Sequence, residues 1–222
     1  MIDGLMSRPA LLLIPLAAAL LGSSCAPTGK FTNAPPSAKV VAEAKAQPKD
    51  RHGMPVYMFQ QKKPLVRMTA YTCTEWDHIQ YGNKSAAGTT LLYGRKRSAA
   101  ADWSYYPIGT TFRIKGMPAT YVIDDYGSAL TGTATIDLYK PSHQVMNQWG
   151  LRQVEVQVLQ WGSMKRSVEL LSKRTRYRHC RQMLNNILRM QPALRRYANL
   201  EEEPTMADMV LADLGAKHSR AY

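Results

Sequence analysis

Three cysteines, three phenylalanines and 16 acidic residues are all that this chain of 222 residues holds of those types. So few cysteines exclude a disulfide-stapled scaffold, and none of them forms the CxxC pair of a structural zinc site. The HExxH pair of metalloproteases, the GxSxG nucleophile elbow and the Walker phosphate loop are likewise missing. Internal repeats are not seen. No apolar run is long enough to span a bilayer: the longest, over residues 10–21, falls short of the ~20 residues a transmembrane helix needs. Its length suits the hydrophobic region of a signal peptide, so residues 1–24 are expected to direct export.

The scarcity of acid leaves 29 Lys and Arg against 16 Asp and Glu, a formal charge of +13. Between residues 165 and 196 the basic residues Lys165, Arg166, Lys173, Arg174, Arg176, Arg178, Arg181, Arg189, Arg195 and Arg196 face only Glu169. Export argues against nucleic acid as the partner of this run. Anionic envelope polymers or anionic lipid remain as attractants, beside the plain alternative of a solvated helix face. The apolar run ends Leu21-Gly22-Ser23-Ser24-Cys25, which resembles the lipobox of bacterial lipoproteins. That resemblance implies lipidation of Cys25 and attachment to a membrane of the cell envelope, at the outer membrane or the periplasmic face. The alternative is ordinary signal cleavage near Ser24. A start at Met6, which opens Met-Ser-Arg, would give a more basic leader than Met1 does.

Residues 25–64 are rich in Ala, Pro, Lys and Gln, with little apolar periodicity, and are expected to be a flexible tether. From residue 65 to 162 the pattern turns to short β-branched and aromatic runs. Residues 66–71, 111–114, 120–123 and 154–159 read as strands, broken by Pro107, Gly109, Gly116, Pro118, Gly127 and Gly132. Pro141 and Gly150 bracket an expected helix over residues 142–149. Residues 163–222 form an expected basic helical segment: Tyr177, Cys180, Leu184 and Ile187 or Leu188 recur at helical spacing, Pro192 interrupts, and a shorter helix is expected after Pro204. Truncation after Gly162 is accordingly expected to leave the barrel folded, the competing view being that Leu170, Leu171, Leu184, Ile187 and Leu188 pack on the barrel and make the tail part of the fold. Cys73 and Cys180 are either a disulfide or two unrelated thiols.

Ala99-Ala100-Ala101-Asp102, Pro107-Ile108-Gly109-Thr110, Ile123-Asp124-Asp125-Tyr126-Gly127 and Thr135-Ile136-Asp137-Leu138-Tyr139 follow one another in the chain, closed by Trp149-Gly150-Leu151-Arg152 and the last strand. In this order and spacing they resemble the 3D domain, named for three aspartates, of membrane-bound lytic murein transglycosylase A. Rare lipoprotein A and the expansins are more distantly similar. The resemblance implies a mainly β fold, a six-stranded double-psi β-barrel, here with an added α-helical C-terminal segment. It implies peptidoglycan glycan strands as the partner. It places the three aspartates at Asp102, Asp125 and Asp137, with Asp137 as general acid/base, and leaves Asp124 without a counterpart. Tyr71, Thr110, Tyr126 and Gly127 are the candidates for contacting substrate.

The chemistry gives these residue types an independent reason. Cleaving a glycosidic bond needs a carboxyl group that stays protonated near neutral pH, and burial or a second carboxylate supplies that shift. Asp137 lies in an apolar strand, where a carboxylate is costly to bury without a role. Asp102 is as readily a turn former. Tyr71, Tyr106, Tyr126 and Trp103 could stack on sugars, although aromatic residues in a small barrel are more often core. Glu75, Asp77 and His78 cluster after the first strand but lack a metal-ligand spacing, so no metal and no cofactor are expected. Two rivals to a lytic transglycosylase stand beside it: a non-catalytic wall-binding barrel of the expansin type, and a structural lipoprotein. Cys25→Ser should move the protein from the membrane to the soluble envelope fraction, since no other segment left after cleavage looks able to anchor it. Unchanged fractionation of that variant would refute the lipobox.

Overall fold

The computed structural model describes residues 36–198, apart from positions 60 and 77. The leader, Cys25, Asp77 and the helix expected after Pro204 lie outside the described residues.

Six strands form a closed barrel: β1 (Lys63–Tyr71), β2 (Lys96–Ala101), β3 (Thr111–Ile114), β4 (Thr120–Asp125), β5 (Ile136–Tyr139) and β6 (Arg152–Gln160). They close in the order β1-β5-β2-β4-β3-β6. β1 runs parallel to β5 and β2 parallel to β4, while the other neighbours are antiparallel. Exchanging each strand with the one three places along the chain leaves both this order and these directions unchanged. That internal two-fold is the arrangement expected of a double-psi barrel.

Side-chain alternation explains why these segments become strands. In β6, Val154 and Val156 are buried while Gln153, Glu155 and Gln157 are exposed. Met68, Ala99, Ala101, Phe112, Ile123, Ile136 and Leu138 are fully enclosed in one apolar cluster, with the Phe112 and Tyr121 rings stacked at 5.3 Å. β2 has weak intrinsic β preference, three alanines in six residues. It becomes a strand because β4 and β5 pair with it on both edges. Helix α2 (His143–Trp149) is capped by Ser142, whose side chain accepts from Val145 N, and is closed by Gly150 at φ 61°.

The boundary expected at Gly162 is not one in the packing. Helices α3 (Met164–Ser172) and α4 (Arg178–Met190) bury Val168, Leu171, Cys180, Met183, Leu184 and Ile187 in the same cluster as the barrel interior. Trp103 N donates to Met183 Sδ at 3.4 Å. The Pro107-to-Thr110 turn is bonded into the start of α3: Ile108 N donates to Ser167 Oγ, Ser163 N to Ile108 O, and Gly162 N to Thr110 Oγ1. A Cβ on Gly162 would strike the carbonyl oxygens of Pro107 and Ile108, so only glycine fits there. The hairpin therefore belongs to the domain. Its apolar stripe was legible in the sequence, but the stripe carries no label for its partner.

The expected tether is likewise corrected over its described part. Helix α1 (Ala38–Lys45) sets Ala44 against Met54 and Leu65. Asp50 accepts from His52 N and Met54 N and, through its other oxygen, from Ala134 N at 3.0 Å beside the barrel. Arg51 donates to Ala129 O. Lys63 is buried, donating to the carbonyls of Tyr57 and Met58 and lying 5.3 Å from the Trp161 ring centre, and burial lowers its pKa to about 8. These anchors are single residues scattered through polar sequence, which leaves no periodic signal. Cys73 and Cys180 are free thiols.

Removal of the chain after Gly162 should abolish the cooperative thermal melt, because a core face lined by Trp103 would be opened to water. A truncated form melting cooperatively within about 3 °C of the full chain, roughly 1 kcal/mol, would show that the barrel stands alone.

Candidate active site

One rung of the barrel carries the chemistry. Asp137 on β5 lies opposite Thr69 of β1 on one side and Ala100 of β2 on the other, and Ala100 in turn lies opposite Asp125 of β4. Residues on either side of this rung, Met68, Ala99, Ala101, Ile136 and Leu138, point into the core, so the rung faces outward. Ala100 fills little of the space between the two carboxylates. Asp125 reaches this face only through a bulge. The β2–β4 register passes from Ala99↔Ile123 directly to Ala100↔Asp125, which makes Asp124 the extra residue. Two consecutive acids are thereby turned to one face, Asp124 toward Ser98 and Asp125 toward Ala100.

The rung lies in a cleft of about 790 Å³ lined by Tyr71, Glu75, His78, Ala86, Tyr126, Gly127 and residues 128–130. On the side of the helical hairpin its lining residues are Lys173, Arg174, Arg176, Tyr177 and His179. Arg181 donates to Thr175 O at 2.7 Å and braces this turn, and Arg174 donates to the Tyr126 hydroxyl at 3.2 Å. Tyr126 packs edge-on against Trp103 with ring centres 5.0 Å apart.

The two carboxylates are held differently. Asp125 accepts from Ala86 N, the Tyr71 hydroxyl and Tyr126 N, all at 2.9 Å. Burial still raises its pKa, against the lowering effect of those bonds and of the nearby His78. Its neighbour Tyr71 is pushed well above the ordinary phenol range by burial and by the Asp125 charge. Asp137 accepts one side-chain hydrogen bond, from Thr69 Oγ1 at 2.7 Å. Burial, helped by the charges of Glu75 and Asp125, raises its pKa to about 7, while the Thr69 bond and Arg67 act the other way. Asp137 is thus the acid with a proton to give near neutrality and with carboxylate capacity left unused. Asp125 orients the wall around it.

Other expected site residues fall elsewhere. Asp102 is fully buried and accepts from Ser104 N, Ser104 Oγ and Gly132 N, tying two loops together away from the cleft. Thr110 is also fully buried, donating to Pro107 O and accepting from Gly162 N. Tyr71, Tyr126 and Gly127 do line the cleft, whereas Trp103 and Tyr106 are core. Asp124 lies behind the cleft, accepting from Ser98 Oγ at 2.6 Å with its second oxygen buried and unpartnered. Burial, with the Asp125 charge, raises it to about 6. Glu75 and His78 belong to the wall. The basic residues of the hairpin turn were visible in the sequence as charge, and the fold makes them one side of the cleft.

The raised Asp137 makes stability depend on pH in a defined direction. Its carboxyl ionises at ~3.9 in an unfolded chain and at about 7 here. The contribution is therefore fully present below pH ~4 and is lost as pH rises through about 7. Asp137→Asn stays neutral, so urea melts should show it gaining on the wild type between pH 4 and 8. Asp102 and Asp124 cancel in that difference, whereas Asp125, whose charge acts on Asp137, is relieved by the same change and adds to the gain. A gap that does not change with pH would show that Asp137 is not shifted.

No curated protein matches the chain. Residues 97–170, from the second residue of β2 to within α3, match the family model described as 3D domain. The match runs past Gly162, as the packing of α3 does, and the chain therefore carries a 3D domain, built on the closed six-stranded barrel whose outward rung holds Asp137 and Asp125.

Proposed function

We propose that the protein cleaves the glycan strands of peptidoglycan as a lytic transglycosylase, with Asp137 as the single acid/base. The observation that carries this reading is a carboxyl group with a pKa of about 7, its capacity only partly used, lining an open cleft large enough for sugar rings. The 3D domain fits a peptidoglycan-related barrel. In the reaction the protonated Asp137 gives its proton to the glycosidic oxygen as the bond to the anomeric carbon breaks. The 6-hydroxyl of the same muramic acid then attacks that carbon and returns a proton to Asp137. The product is a 1,6-anhydro end, with no water consumed. Thr69 holds one carboxylate oxygen in place, and Ala100 leaves room beside it.

Export and lipid attachment at Cys25 complete the proposal and would place the cleft in the cell envelope. Among the described residues no helix is long and apolar enough to cross a membrane.

Purified protein incubated with sacculi should release muropeptides with anhydro ends, identified by mass spectrometry, at a rate that falls as pH rises through about 7, where Asp137 loses its proton. Asp137→Asn should fall below about a tenth of the wild-type rate, since general acid catalysis is worth ~10² to 10⁴-fold. Hydrated ends would indicate a hydrolase, and binding without products a wall-binding barrel.

A further inference from the structure

The cleft sets an acidic cluster against a basic one. Asp137, Asp125 and Glu75 lie on the barrel side, together with His78 and Lys84, and Lys173, Arg174 and Arg176 lie on the turn between α3 and α4. No carboxylate lies within salt-bridge distance of these three cations among the described residues, because the one acid of the hairpin, Glu169, is taken by Lys165 and Arg166. The turn is built before any ligand arrives: Arg174 N donates to Leu171 O, Tyr177 N to Arg174 O, and Arg181 to Thr175 O. Arg174 is fixed on Tyr126, 5.7 Å from the ring centre, while Lys173 and Arg176 are exposed.

Resting on the glycan reading of the cleft, we propose that Lys173, Arg174 and Arg176 form a subsite for a carboxylate carried by the saccharide, so that the enzyme selects acidic glycan strands over neutral ones. The physical reason is the separation of the proton donor from the basic turn across the cleft. A carboxylate on the strand is attracted to the cations of the turn, while the protonated Asp137 needs a neutral acceptor. The strand satisfies both only when its glycosidic oxygen faces Asp137 and its carboxylate faces the turn. Guanidinium groups bind carboxylates in a planar, two-pronged way, which adds orientation to attraction. In peptidoglycan that carboxylate has two sources, the lactyl group of muramic acid and the acids of the stem peptide.

The test uses the full chain carrying Asp137→Asn, so that binding is read without turnover. Three probes separate the possibilities: soluble strands with stem peptides, the same strands after amidase treatment to bare the lactyl carboxylates, and chitohexaose, which has no carboxylate. The acidic strands are expected to bind about tenfold more tightly than chitohexaose at 0.1 M salt, and to lose that margin at 1 M as the Debye length falls from ~10 to ~3 Å. Adding Lys173→Gln and Arg176→Gln should weaken the acidic strands about tenfold and leave chitohexaose unchanged. Both positions are exposed, and an unchanged thermal melt confirms that the fold is intact. Whichever acidic probe shows the larger loss identifies the source. Equal affinity for all three probes, an equal loss on all three, or no binding overturns the subsite. If the acidic strands are preferred but the wild type yields no anhydro product, the catalytic reading fails and the subsite stands. The reverse result removes the subsite alone.

Discussion

The four-residue strand β5 is the constraint on which the rest depends. It is wedged between β1, which it meets in parallel, and β2, which it meets antiparallel, and without it the ring would open into a sheet with two raw edges. Ile136 and Leu138 lock it from inside, both fully enclosed. The residue between them must then point outward, at a fixed level, with Thr69 on one flank and Ala100 on the other. The same pairing that closes the barrel thus aims Asp137.

A second device sets the electrostatics around that residue. The bulge at Asp124 costs β4 one regular pairing, yet it brings a second acid to the outward face beside the first. The two aspartates are held differently. Three donors surround Asp125 and work against the effect of burial, which still raises its pKa, and the residue holds Tyr71, Ala86 and Tyr126 in place. Among the described residues Asp137 accepts a side-chain bond from Thr69, and burial raises its pKa against that bond and the charge of Arg67.

The helical hairpin plays a double part. Its apolar side completes a core that a six-stranded barrel with three alanines in one strand would leave thin, and its connecting turn forms the far side of the cleft. Stability and site therefore share one element. The dependence is mutual, since the Pro107-to-Thr110 turn of the barrel supplies and receives the hydrogen bonds that seat α3.

The sequence by itself determined much of β1, β3, β4 and β6 through their β-branched and aromatic runs, with strict alternation in β6, together with the helix α2, the amphipathic face of α4, and Asp137 as an acid in an apolar strand. Each of these signals is local: alternation, capping and spacing are set by neighbours along the chain. Only the tertiary structure decided that the basic hairpin packs on the barrel, that residues 38–64 are tied to it, that Asp102 and Thr110 are structural, and that Asp124 is the bulged residue. Those outcomes depend on which distant backbone donor meets which carboxylate, Gly132 N for Asp102 and Gly162 N for Thr110 among them, and on which surface an apolar stripe covers. A stripe or a carboxylate carries its own requirement in the sequence, but the partner that meets it lies tens of residues away and is fixed only when the chain closes on itself.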